Sequence, residues 1–209
     1  MIRLLGRQTS GNVQKVIFCL EELGVPYQRE DYGRQFGNTL TDAYKKLNPT
    51  AKVPTLIDGD LVIWESHTIL RYLAAMHRPA LTGATPGERS LVERWMDFLL
   101  GALNTPYVAV FRDAKKAPAE RAADFAAQSA DLIAQLKILD DHIAGRDWFA
   151  LDRLTIADMA LGTIVKRCLE FPIERPTCPE LERWQAAIDA RPAFAVAVGA
   201  KPSALTPAA

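Results

Sequence analysis

A chain of 209 residues, 49% hydrophobic and 24% charged, is long enough for one large or two small globular domains. Its 25 basic and 25 acidic residues cancel, so net charge draws it neither to nucleic acid nor to an anionic membrane, and the expected partner is a small molecule or a protein. The apolar run within Met1–Arg7 is too short for a signal peptide and no later run approaches the ~20 apolar residues of a membrane span, while Cys19, Cys168 and Cys178 lack any paired spacing and indicate neither a disulfide framework nor a cysteine metal site; a cytoplasmic protein is expected.

Ile2, Leu4 and Leu5 predict a first strand. Val13, Val16, Ile17, Leu20 and Leu23 then recur at helical spacing until Gly24 ends the helix. Tyr27 to Tyr32 reads as a second strand, followed by an irregular region. Thr55-Leu56-Ile57 and Leu61-Val62-Ile63 flank Asp58-Gly59-Asp60 as a hairpin around its turn. Ile69, Leu70, Leu73 and Met76 place a helix over 66–76. The order β-α-β, irregular region, β-β-α matches a small four-stranded mixed sheet with helices on it. The expected domains are 1–77, a linker over 78–87 rich in Pro, Gly and Thr, a helical domain over 88–200 and a tail over 201–209. In the helical part, Leu91, Trp95, Phe98, Leu99 and Ala102 mark one long helix and Phe125, Leu132, Leu136 and Leu139 another. Thr155 and Asp158 sit at N-cap and capping-box positions of a third, almost wholly apolar helix. Two shorter helices around Trp184 and Phe194 are separated by Pro192.

Two features carry chemistry. Val53-Pro54 precedes an apolar strand; X–Pro bonds are mostly trans, but a cis bond there has an intrinsic cost of only ~0.5–1 kcal/mol and would turn the Val53 backbone N–H and C=O toward a ligand's own backbone. Glu65-Ser66 opens a helix, whose N-terminus attracts a carboxylate while Glu65 answers an ammonium; taken alone, the pair is equally an ordinary helix start. Corner and clamp together point to a ligand with an amino-acid-like end. Lys15 and Arg71 read as solvated or structural charges. No two of His67, His77 and His142 show metal-ligand spacing, so no metal is expected.

Three stretches in order resemble the cytosolic glutathione transferases. Ser10-Gly11-Asn12-Val13-Gln14-Lys15 is similar to the family's Ser-x-Asn-x-x-Lys helix start, Asn48-Pro49-Thr50-Ala51-Lys52-Val53-Pro54-Thr55-Leu56 to its Asn-Pro-x-x-x-Val-Pro-x-Leu turn, and Glu65-Ser66-His67-Thr68-Ile69-Leu70-Arg71-Tyr72-Leu73 to its Glu-Ser-x-x-Ile-x-x-Tyr-Leu helix. The Leu154–Asp158 start resembles the family's buried cap. The opening and Ile63-Trp64-Glu65-Ser66 look most like bacterial members of the phi, nu and related serine or threonine types. The resemblance implies an α/β thioredoxin-like N-terminal domain, an all-α C-terminal domain, a homodimer and a role in detoxification.

It also implies the chemistry. A free thiol with pKa ~8.5 is only a few per cent thiolate at neutral pH. A hydroxyl donating to the sulfur near a helix N-terminus would lower that pKa by ~2 units, worth ~2.7 kcal/mol. Ser10 matches the motif position for this donor, with Thr9 and Asn12 as rivals; Ser10 alone would equally be a helix N-cap. A serine there favours conjugation or peroxide reduction over disulfide exchange, which needs a cysteine. By resemblance, Val53 and Pro54 hold the cysteinyl backbone of glutathione, Glu65 and Ser66 its γ-glutamyl end, and Lys52 a carboxylate or main-chain oxygen. Where many relatives carry His-Lys before the Asn-Pro pair, this chain has Thr39-Leu40, leaving Asn38 or Thr39 as neutral donors for the glycine carboxylate. Tyr107, Phe111 and Arg112 are candidates to receive the electrophile, Arg112 suiting an anionic one; the two aromatics are equally core or cavity wall. The functions implied are a transferase joining glutathione to a small electrophile, a glutathione-dependent peroxidase or dehalogenase, or a non-catalytic binding module on the same fold.

Overall fold

The structure, a computed structural model, describes residues 1–199; the tail expected over 201–209 lies outside the described residues. The described residues form two compact units, Met1–Leu81 with residues 189–199, and Thr82–Ile188.

The first unit is built on strands β1 (Ile2–Leu5), β2 (Tyr27–Glu30), β3 (Thr55–Asp58) and β4 (Leu61–Trp64), in the order β2-β1-β3-β4. Helix α1 (Gly11–Leu23) connects β1 to β2, and the long connection lets these two run parallel with Ile2 opposite Tyr27. β3 lies antiparallel to β1 with Leu4 opposite Leu56, and the tight turn at Gly59 (φ 59°) sends β4 back along β3. Leu4, Leu5 and Leu56 are fully buried, as are Val13, Val16, Phe18 and Leu20 of α1 and Ile69, Leu70 and Leu73 of α3 (Ser66–His77). Gly24 ends α1 in the left-handed conformation (φ 64°), its N–H donating to the carbonyls of Glu21 and Leu20.

The region read as irregular contains a further helix, α2 (Asp42–Leu47), capped by Thr41, whose hydroxyl accepts from the Tyr44 N–H. Six residues are too few to show a helical hydrophobic period, which is why the pattern concealed it.

In the second unit, α4 (Pro86–Phe98) starts inside the expected linker. Thr85 and Glu88 form a capping box with Pro86 in the first turn, so the residues read as a loop are a helix start. A π-helical segment, Leu99–Leu103, carries α4 into α5 (Asn104–Asp113). α6 (Phe125–Ile143), α7 (Ile156–Leu169) and α8 (Pro179–Asp189) follow. The Asp158 carboxylate, fully buried at the start of α7, accepts from the N–H groups of Thr155 (2.9 Å) and Phe149 (3.0 Å), the Thr155 hydroxyl (2.9 Å) and the Trp184 indole (3.3 Å). It therefore ties the α7 start to the 149 turn and to α8.

The last helix, α9 (Pro192–Val198), falls with the first unit rather than with the helices that precede it. It packs on α1, with Phe18 and Phe194 edge to face at 5.2 Å between ring centres. The Gln8 amide donates to the carbonyls of Val196 (3.0 Å) and Ala197 (2.8 Å), filling two of the acceptors a helix C-terminus leaves open.

Candidate functional site

The sheet register gathers three segments at one end of the first unit. Leu5, Thr55 and Trp64 lie in one row across β1, β3 and β4. Beyond that row β1 leads into residues 6–10 and the start of α1, β3 is entered through Val53-Pro54, and β4 leads into Glu65-Ser66. Gly6 confirms the closeness: a Cβ on it would meet Val13 Cγ2 at 2.4 Å and Val53 Cβ at 3.4 Å. Only a glycine lets the corner approach α1 so tightly.

Ser10 occupies the N-cap position of α1 with extended backbone (φ −82°, ψ 123°), and its carbonyl accepts from the Gln14 N–H at 2.9 Å. Its side chain is buried and makes no capping hydrogen bond. The hydroxyl thus sits at a helix N-terminus without being spent on it. Thr9 and Asn12, the two rivals, are exposed.

The Val53–Pro54 bond is cis. The turn around it is braced by two side chains that the sequence reading did not single out. The Tyr44 hydroxyl donates to the Lys52 carbonyl (2.6 Å) and bonds Thr55 Oγ1 (2.9 Å); the Asn48 amide donates to the same two atoms (2.9 and 3.1 Å) and its oxygen accepts from the Thr50 hydroxyl (2.7 Å). Asn48 lay in a quoted motif, which was its signal; Tyr44 gave none, because its role depends on α2. Lys52 itself is exposed and Val53 half-buried.

Glu65 is exposed, with φ 68° and ψ 117°, while its carbonyl accepts the Ile69 N–H at 3.0 Å. A non-glycine residue held there costs on the order of 1–3 kcal/mol, the kind of strain that clusters at ligand sites. Ser66 follows as the first residue of α3 and is buried. Asn38 braces its own loop, accepting from the Gly33 N–H and donating to the Asp31 carbonyl, both at 3.0 Å; Thr39 is buried beside it.

Lys15, read as a solvated or structural charge, and His67, read as a histidine without metal-ligand spacing, are both buried, and Lys15 Nζ lies 3.1 Å from His67 Nε2. An ammonium only donates, so Nε2 accepts and the neutral ring carries its proton on Nδ1. Burial first, then the charges of Lys15 and Arg71, push His67 down to about 2. The pair joins α1 to the first turn of α3, between the two helix starts of the site. The sign of the pH effect follows. A folded-state value below the unfolded ~6.5 gives stability that is complete above pH ~6.5 and is lost as pH falls. His67→Gln, which keeps an acceptor for Lys15, is therefore expected to close on wild type by about 2 kcal/mol between pH 7 and pH 5 in urea unfolding. A gap independent of pH would show that His67 is not held neutral.

In the second unit, Tyr107 is buried on α5 and Phe111 partly exposed one turn on, their rings 5.9 Å apart. Phe171 completes the cluster, 6.0 Å from Tyr107 and 6.4 Å from Phe111. Arg112 is exposed on the last turn of α5.

Residues 9–76 match the glutathione S-transferase N-terminal domain and residues 94–192 the C-terminal domain. Glutathione S-transferase GstB of Escherichia coli K12 is 33% identical over 200 residues, covering 92% of this chain and 95% of that protein. The chain belongs to the glutathione S-transferase family. Among solved structures, the theta class glutathione S-transferase of Xanthomonas axonopodis pv. citri with glutathione bound aligns at a TM-score of 0.90 and 39% identity, over 97% of this chain and 99% of that one. A glutathione transferase from Pseudomonas putida with one glutathione disulfide bound per subunit aligns at 0.86 and 25% identity, over 94% and 90%. For a glutathione S-transferase, the first unit thus brings Ser10, Val53-Pro54 and Glu65-Ser66 to one sheet end. Tyr107, Phe111 and Arg112 belong to the other unit.

Proposed function

We propose that this glutathione S-transferase is of the serine type, ionising the thiol of glutathione through Ser10 and passing the thiolate to a small electrophile. The observation that carries the reading is the buried Ser10 hydroxyl, placed at the α1 N-terminus and unused in capping, on the same sheet end as Val53-Pro54 and Glu65-Ser66. In this reading Val53 pairs with the cysteinyl backbone against Pro54, Lys52 meets a carboxylate or main-chain oxygen, Glu65 takes the γ-glutamyl ammonium and Ser66 its carboxylate at the α3 N-terminus. Asn38 and Thr39 lie on the loop assigned to the glycine end; with the Asn38 amide engaged inside the loop, Thr39 is the stronger candidate donor. Thr9 and Asn12, both exposed, are the rival candidates for the same role. Tyr107, Phe111 and Arg112 receive the electrophile. Cys19 does not compete as a nucleophile, since burial pushes its thiol up to about 12.

The test is the ultraviolet titration of the bound glutathione thiol together with turnover of an aryl halide. A bound thiol ~2 units below its free value, with conjugate formed, supports the proposal. Glutathione bound with an unshifted thiol and no conjugate would hand the chain to the non-catalytic reading on the same fold.

Two further assignments belong to this reading. The protein acts in the cytoplasm on toxic electrophiles, in keeping with three buried free cysteines suited to a reducing compartment. It works as a two-fold dimer: β4 is an edge strand that exposes Leu61 and Trp64, and α3 exposes Met76, an apolar surface of the kind a partner covers. Sedimentation at micromolar concentration is expected to give twice the chain mass of 23.1 kDa; a single-chain mass would remove the dimer.

A further inference from the structure

At the site end of the sheet, Glu30, Leu5, Thr55 and Trp64 lie in one row across β2, β1, β3 and β4. The segments beyond the row keep that order. Tyr32-Gly33 follows β2, Gly6-Arg7 follows β1, Val53-Pro54 enters β3 and Glu65-Ser66 follows β4. Backbone bonds join the first two segments, the Gly6 N–H donating to the Glu30 carbonyl (2.8 Å) and the Arg7 N–H to the Tyr32 carbonyl (3.1 Å). In strand order, Arg7 therefore stands on the opposite side of Val53 from Glu65-Ser66.

Gly33 locates the guanidinium. Its backbone has φ 86°, and the Cβ it lacks would lie 2.9 Å from Arg7 Nη1 and 3.5 Å from Val53 Cγ1. The missing side chain leaves a notch with the Arg7 fork on one wall and Val53 on the other. Asn38 fixes that notch, its oxygen accepting the Gly33 N–H at 3.0 Å. Asp31, the acidic residue beside Tyr32, is paired with Arg29 at 2.5 Å. Arg7 is half-buried, whereas Arg34 and Lys52 are exposed, and a less solvated ion pair is less screened. A guanidinium carries five N–H donors in a planar fork, more than one carboxylate takes up, so Arg7 can serve its contacts within the protein and a carboxylate together.

We propose that Arg7 holds the glycine carboxylate of glutathione across Gly33, and so makes the site select a ligand with a free carboxylate at that end. The inference rests on the proposed function, which sets the γ-glutamyl group at Glu65-Ser66 and the cysteinyl backbone at Val53. Lengths agree with it. Neighbouring strands are ~4.8 Å apart, which separates the β4 end from the β1 end by about 10 Å, and three extended residues span about 10 Å. Arg7 thus supplies a cation at the end where this chain carries Thr39-Leu40, which offers only neutral donors, and its fork grips a carboxylate at two points as a lysine does not.

The test compares glutathione with glutathione amide, in which a carboxamide replaces the glycine carboxylate. Both are titrated by calorimetry into wild type, Arg7→Gln, Arg7→Lys and Arg34→Gln, each variant first checked for an unchanged near-ultraviolet circular dichroism spectrum. Wild type is expected to bind the acid at least ~10-fold more tightly than the amide, as one charge-assisted hydrogen-bonded pair allows. Arg7→Gln abolishes that preference by weakening the acid alone, Arg7→Lys restores part of it and Arg34→Gln leaves it intact. At saturating glutathione the bound thiol of Arg7→Gln titrates where it does in wild type, because Arg7 acts on the far carboxylate and not on the sulfur. Equal affinities in wild type, a preference that survives in Arg7→Gln, or one lost to the same extent in Arg34→Gln would overturn the assignment while leaving thiol activation standing. Failure of wild type to bind either form would remove the assignment and the proposed function together.

Discussion

Replacing Asp158 by alanine is expected to destabilise the protein by about 3–5 kcal/mol, the largest effect of any single substitution considered. The carboxylate is fully buried and accepts from Phe149, Trp184 and both the N–H and the hydroxyl of Thr155. Alanine would leave those donors buried without an acceptor, and each orphaned group costs about 1–3 kcal/mol. Four hydrogen bonds do not fully offset burial, which pushes the Asp158 carboxyl up to about 6 from an ordinary 3.8. A group raised in the folded state contributes stability that is complete below its unfolded value and is lost as pH rises through its folded one. The gap between wild type and Asp158→Ala should therefore widen, by on the order of 1–3 kcal/mol, as pH falls from about 6 to about 4. Chemical unfolding at the two pH values measures both parts. A loss under 1 kcal/mol would mean that the α7 start is held by packing alone.

Ser10→Ala is expected to lower kcat/KM at pH 7 about 25-fold while leaving glutathione affinity within a few fold. The reason is the state of the sulfur rather than its placement. If the hydroxyl accounts for a depression of ~2 units, worth ~2.7 kcal/mol, its removal returns the bound thiol toward ~8.5 and lowers the thiolate at pH 7 from about 76% to about 3%. The pH profile distinguishes this from distortion of the site: the variant's rate should climb with pH and approach wild type once both thiols are ionised. Because the Ser10 side chain makes no capping bond, the substitution removes no hydrogen bond from α1, and the melting temperature should scarcely move. A parallel drop at every pH, or an unshifted thiol, would transfer the role to Thr9, Asn12 or the helix dipole.

The parts of the fold that repeat a period were legible. The mixed four-stranded sheet, the hairpin at Gly59 and the long helices follow from alternation and from 3.6-residue spacing, which a single chain displays. What stayed hidden depends on context. Thr85-Pro86-Gly87 has the composition of a loop, yet with Glu88 it starts a helix, because a capping box and a turn use the same residue types. α9 has the apolar spacing of the helices before it, and only packing on α1 puts it in the first unit. The site divides the same way. Ser10, Val53-Pro54 and Glu65-Ser66 lie in short motifs. The Tyr44 and Asn48 braces act on the far side of a turn, and Lys15 and His67 are 52 positions apart, each reading as a polar residue until the other is placed beside it.

Helix α9 also gives the protein an order of assembly. During synthesis the N-terminal residues emerge first, at ~5–20 residues per second, so β1 and α1 are made well before the helix that covers Phe18 and accepts the Gln8 amide. Phe18 lacks that cover until Pro192–Val198 has left the ribosome. A chain stopped short of α9 would carry Ser10 on a helix with one apolar face open, and the segment just before Ser10 would have lost its anchor. Synthesis of α9 is therefore the step that covers Phe18 and anchors Gln8, so that a chain ended before it is marked by an exposed apolar face on α1.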